Sequence, residues 1–240
     1  MALPMMTAPT YNMVVPSTEA SVRFRPMLVK EEKALLIAQQ SEDPAVMIET
    51  LKGVIKSCVL DTIDVEKLAT FDLEYMFMHI RGKSVGESIE LSLTCDEDHG
   101  EQNNKAVVNY TINIEDIKVV KNSEHKNKVH LYGDVGVVMK YPSVQDLKKM
   151  QETDDDDLDR IFDIMAVAID YIYDGNQIYH AKEQKHEELL AFLGNLTSDQ
   201  FIKVQKFFET MPKLSYTAKY ECPVCHKKNE RILEGIQSFF

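Results

Sequence analysis

The chain has 240 residues, with 27 Lys and Arg against 39 Asp and Glu, a formal net charge of −12, and 44% hydrophobic and 28% charged residues. This is enough for one sizeable core, or a core with a smaller appended lobe, and the composition is that of a globular protein. The acidic balance argues against nucleic acid, whose phosphates need clustered Lys and Arg; no apolar run reaches a membrane span, and four cysteines are too few for a secreted disulfide scaffold.

Met1 to Thr10 has no basic segment followed by an apolar core, so no secretory leader is expected. Pro4 and Pro9 favour an extended arm suited to contacting a partner. Tyr11–Val15 and Ser21–Arg25 read as strands around Pro16-Ser17-Thr18-Glu19, which makes 1–26 an arm plus hairpin. From Leu28 the period changes to helical: Leu28, Leu35, Leu36 and Ile37 form an apolar face ending near Ser41, with Lys30, Glu31, Glu32 and Lys33 on the wet side. Asp43-Pro44 opens a second helix carrying Met47, Ile48, Leu51, Val54 and Ile55. A third is expected from near Asp64 through Leu68, Phe71, Leu73, Tyr75, Met76, Phe77 and Ile80. Gly82-Lys83-Ser84 resembles the tail of a phosphate loop, but Phe77 stands where its first glycine belongs.

Strands follow at Ser88–Leu93, Ala106–Ile114, Val129–Tyr132 and Val135–Tyr141, the last two joined by the tight-turn pair Gly133-Asp134. Ser143–Gln151 reads as a short helix. Asp154 to Asp157 precede an amphipathic helix through Leu158, Ile161, Phe162, Met165, Ala166 and Ile169. Such a run could hold a hard cation, but acidic residues at a helix start also complement its dipole, and that reading is preferred. Asn176–Tyr179 is a short strand or loop; Glu187–Leu193 and Ser198–Phe208 form a helical pair, the second opened by the capping sequence Thr197-Ser198-Asp199.

The chemistry concentrates in two short-spaced pairs. Cys95 and His99 lie at the tip joining two strands, and Cys222 and Cys225 between the strand Leu214–Tyr220 and the possible strand Asn229–Leu233. Structural Zn²⁺ takes four Cys or His ligands as two such pairs, so Cys95, His99, Cys222 and Cys225 are the expected metal ligands. His226 is an alternative fourth ligand, hampered by its adjacency to Cys225. Free thiols and a redox C-x-x-C remain open as other readings, although the redox motif normally opens a helix. Cys58, in an apolar helical run, reads as a buried small hydrophobe. No nucleophile elbow, zinc-protease helix or dinucleotide glycine loop is present, and His79, His125, His130, His180 and His186 belong to no recognisable motif.

Four segments carry a family likeness: Phe24 to Lys33, Phe71 to Tyr75, Ile80 to Glu87 and Leu233 to Phe240. Through them the chain resembles the baseplate hub subunit, or hub assembly protein, family of T4-type contractile-tailed bacteriophages. The resemblance implies a non-enzymatic role in building the tail baseplate hub by binding other tail and hub proteins, first in the host cytoplasm and then in the virion tail. It implies no active site and no ligand set, so the zinc expectation rests on spacing alone. The competing function is a cytosolic zinc enzyme with a site assembled from distant residues. The expected fold is α+β: one domain over 27–240, antiparallel strands beside helical layers, with a split zinc ribbon from 87–114 and 213–240.

Overall fold

A computed structural model describes residues 7–41, 43–97, 99, 106–146 and 157–239. In chain order the strands are β1 (Tyr11–Val14), β2 (Ser21–Phe24), β3 (Ser88–Thr94), β4 (Val107–Asn113), β5 (Lys118–Val120), β6 (Lys128–Tyr132), β7 (Val135–Met139), β8 (Ile169–Asp174), β9 (Gln177–His180), β10 (Lys213–Glu221) and β11 (Lys228–Glu234). The helices are α1 (Val29–Ser41), α2 (Pro44–Cys58), α3 (Thr70–Val85), α4 (Asp157–Val167), α5 (His186–Gly194) and α6 (Ser198–Glu209). All named strand pairs are antiparallel, so the fold is α+β as expected.

The chain divides into two compact units. The first comprises Met1–Val65, Phe71–Val120 and Lys213–Phe240. In it β1 pairs with β2, β3 with β4, and β10 lies between β11 and β5. α2 starts as its sequence dictates: the Asp43 side chain accepts from the Ala45 N–H at 2.8 Å, and Pro44 occupies the first turn, where no donor is needed. α3 is buried on most of its surface, including Phe71, Met76, Phe77, Met78 and Ile80, as a central helix must be. Met78, Ile89, Leu93, Ile112, Ile114, Leu214, Leu233 and Phe239 join in one core, so Phe239 is tucked in.

Two expectations in this unit are corrected. The third helix begins at Thr70, after a short 3-10 turn at Val65–Lys67, not near Asp64. The backbone between is engaged elsewhere: Leu68 accepts from the Val144 N–H, and Ala69 forms a β-bridge with Ser143. Tertiary pairing here outweighs helix propensity. In α1 the predicted faces are reversed at key positions: Glu31 and Ala38 are buried, whereas Leu28, Leu36 and Ile37 are exposed. Glu31 can be buried because Arg25 Nη2 donates to it at 2.9 Å and the Leu28 N–H at 2.8 Å.

The second unit comprises Glu66–Thr70 and Lys121–Pro212. Its sheet runs β6-β7-β8-β9 in sequence order. Gly133 has φ 51°, the left-handed conformation that the Gly133-Asp134 turn demands. Leu131, Val137, Met139, Met165, Ile169, Leu193, Val204 and Phe207 form its core. The helix expected to run through Ile169 stops at Val167, and Ile169–Asp174 is instead β8, paired on both sides. The β-branched and aromatic residues Ile169, Tyr171, Ile172 and Tyr173 suit a central strand better than a helix end. Asp154 to Asp156, and residues 147–151 of the expected short helix, lie outside the described residues. The chain leaves the first unit after Val120 and re-enters at Lys213, and these two residues are register partners between β5 and β10.

Candidate metal centre

Four side chains separated by up to 130 positions converge in the first unit. One ligand atom each from Cys95, His99, Cys222 and Cys225 lies within 4.8 Å of all the others. Cys95 Sγ is 3.9 Å from Cys225 Sγ, and Cys222 Sγ is 3.5 Å from His99 Nε2. A tetrahedral zinc with bonds near 2.3 Å to sulfur and 2.0–2.1 Å to nitrogen requires S···S of about 3.8 Å and S···N of about 3.6 Å. These two separations fit that geometry, and the remaining ones are bounded by 4.8 Å.

Two strand ends set these positions. Cys95 directly follows β3, and its N–H donates to the Ala106 carbonyl across the β3–β4 loop. Cys222 directly follows β10, where the turn to β11 closes through Cys222 N–H to Lys227 O at 2.9 Å and His226 N–H to Cys222 O at 3.0 Å. His226 takes φ 57°, the left-handed step that folds the turn back and brings Cys225 beside Cys222. Tyr220 donates its hydroxyl to Thr94 O at 2.8 Å, joining the two ligand-bearing strands one residue before Cys95 and two before Cys222.

Cys95 and Cys222 are buried with Ala106, His99 is half-buried and Cys225 is exposed. Burial alone would raise the Cys222 thiol, but the backbone N–H groups of Cys225 and Val224, with the neighbouring thiols, bring it down to about 6. The Val224 N–H stands 3.4 Å from that sulfur. At Cys225 the backbone of Lys227 acts downward, yet burial and the thiols of Cys222 and Cys95 leave a net rise. Three thiols and one imidazole gathered within 4.8 Å are a donor set that suits a soft divalent cation.

The four ligands named from the sequence are brought together, and His226 is not among them: its Nδ1 pairs with Glu221 at 3.1 Å on the surface. Sequence reasoning missed the supporting residues. Asn229 is buried with its side chain 3.8 Å from Cys95 Sγ while donating to Lys227 O. Lys227 pairs with Glu97, and Arg231 of β11 with Asp96 at 3.3 Å, so opposite charges flank the two pairs. Acidic residues beside the first pair and basic ones beside the second were visible as a pattern, but no local rule couples them. Cys58 is buried as expected, its thiol pushed up to about 11 by burial.

The family model that matches this chain is described as T4 bacteriophage base plate protein and spans residues 8–240. No curated protein and no solved structure matches it.

Proposed function

From the premise that this chain belongs to the T4 bacteriophage base plate protein family, we propose that it is a hub subunit or hub assembly protein, working by binding other tail proteins. Its place as a structural protein of the phage tail base plate follows from the family match over nearly the whole chain. The observation that favours a binding role is the outer face of α1. Leu36, 61% exposed, lines a groove of about 430 Å³ with Met27, Leu35, Met47, Leu51 and Phe77, and its chain neighbour Ile37 is 57% exposed. Contiguous exposed apolar surface rimmed by polar residues marks interaction sites. Host cytoplasm during assembly, then the virion tail, is the expected course.

Within this reading the Cys95, His99, Cys222 and Cys225 site holds a structural zinc. The support is the fit of its separations to a tetrahedron; four protein ligands fill the coordination sphere, whereas catalytic zinc keeps a position for water or substrate. A zinc enzyme built on distant residues therefore has less support than a structural clip.

A phage lacking this chain, supplied with Leu36→Glu/Ile37→Glu, tests the binding role. The expected result is a folded variant, by circular dichroism, that fails to complete base plates. Normal base-plate yield from that variant removes the binding reading. Mass spectrometry of purified virions and the position of an epitope label test the hub assignment; a label at the base-plate periphery refutes it.

A further inference from the structure

A candidate recognition surface lies within the second unit. A cavity of about 590 Å³ is walled by Lys126, Lys128, His130, Lys203 and Lys206, with Glu124 as the single carboxylate on its lining. Val129 and Phe207 close its floor, with their side chains in the core. In a chain of net charge −12, four lysines around one concavity stand against the overall balance.

The local structure places these cations deliberately. In β6 the outward positions alternate, which puts Lys128 and His130 on one exposed side while Val129 and Leu131 face the core. On α6, Lys203 and Lys206 are three apart and share a face. Lys203 Nζ donates to the Leu131 carbonyl at 3.0 Å, which fixes the lysine over the strand but leaves its charge uncompensated. Lys206 pairs with Glu124 at 3.0 Å. Lys128 Nζ lies 4.7 Å from the centre of the Tyr173 ring, a contact that orients the ammonium without neutralising it. Among the described residues no carboxylate pairs with Lys126, Lys128 or Lys203. Charges gathered around a concave, partly apolar lining focus the field there.

We propose that this cavity binds a short acidic segment of a neighbouring base-plate protein, whose Asp and Glu carboxylates meet Lys126, Lys128 and Lys203. The peptide class is favoured over nucleic acid by range. Beyond about 8–10 Å, the Debye length at moderate salt, a nucleic acid would meet an acidic protein that repels it, whereas a short segment stays within the basic site. Identifying the source as a base-plate neighbour rests on the function proposed above; the anion site itself does not, and a synthetic probe separates the two.

The probe is a fluorescein-labelled nonapeptide rich in Asp and Glu, measured by anisotropy against the full chain at about 50 mM and about 300 mM salt. Expected are saturable binding at low salt, weakening at high salt, and a loss of about tenfold or more in Lys126→Glu/Lys128→Glu. The control Lys182→Glu/Lys219→Glu, whose lysines are exposed elsewhere, should bind as the wild type does. Circular dichroism and the thermal transition establish that the groove variant is folded. Equal affinity in groove and control variants, no saturable binding at low salt, or tighter binding of an equally charged oligothymidylate overturns the proposal. Self-association of the wild type that the groove variant abolishes also overturns it, because a second copy would then be the occupant.

Discussion

At the scale of single residues, Cys222 and His125 make separate demands on the solution conditions. Cys222→Ser removes one corner of the proposed tetrahedron, whose other corners come from Cys95, His99 and Cys225. Zinc measured by inductively coupled plasma mass spectrometry is expected at one per chain in the wild type and absent in the variant, while most helix content persists. A metal-free wild type purified without chelators sinks the zinc assignment. His125 sits in the other unit, its ring packed against Tyr141 and Phe207 and its Nδ1 2.9 Å from Thr210 Oγ1. Nε2 is buried without a hydrogen-bond partner among the described residues, and burial lowers the pKa from its usual value of 6.5. The unfolded chain then binds the proton more readily than the folded one. The resulting stability is complete above about pH 6.5 and is lost as the pH falls through the lowered folded value. Urea midpoints should therefore fall between neutral and mildly acid pH, and fall less in His125→Gln. An NMR titration placing the ring at or above 6.5 contradicts this.

At the scale of elements, the sharpest constraints are steric and electrostatic. Gly136 lies in β7, and a methyl group there would stand 2.6 Å from the Val129 carbonyl and closer still to the Tyr173 ring. Gly136→Ala is expected to cost about 1–3 kcal/mol by overpacking, measured as a shift in the urea midpoint. Because one obstacle is backbone, adding Tyr173→Ala should recover only part of that loss. α6 is opened by a capping box: the Gln200 N–H donates to Thr197 Oγ1 at 3.4 Å and the Thr197 N–H to Gln200 Oε1 at 2.9 Å. Thr197→Ala should cost about 1 kcal/mol. An unchanged midpoint would mean that the helix start is held by its packing alone.

At the scale of the whole molecule, the question is whether the two units unfold separately. The segment Lys121–Pro212 departs and returns through the paired residues Val120 and Lys213, a geometry suited to an autonomous insertion. Yet the same unit includes Glu66–Thr70, and its Ser143 and Val144 bond to Ala69 and Leu68. We propose that 27–240 nevertheless behaves as one α+β domain, with 1–26 as its arm and hairpin. Scanning calorimetry should then show one transition with equal calorimetric and van't Hoff enthalpies. Two resolved transitions would overturn that proposal. Chelation should lower the transition temperature, because the proposed zinc would join Cys95 to Cys222 across a long loop and its binding energy would contribute to folding.

What was legible in the sequence was local. Cys95 with His99, and Cys222 with Cys225, stand out because two side chains offered to one metal from a single turn must be closely spaced, and the fold does bring the four within 4.8 Å of one another. The Asp43-Pro44 helix start, the Thr197 cap and the Gly133-Asp134 turn are likewise set within a few residues. What the tertiary structure decided were the matters of partnership. Glu31 is buried where Arg25 and the Leu28 N–H meet its carboxylate, so the periodicity of α1 pointed its apolar face to the wrong side. Ile169–Asp174 became a strand because β7 and β9 flank it, whereas a short apolar run fits either period when read alone. Asn229 stands beside Cys95 because two hairpins distant along the chain converge, and no spacing rule spans 134 residues. Short-range geometry is written in neighbouring residues; burial of charge, choice of face and convergence of loops depend on energies that exist only once distant segments touch.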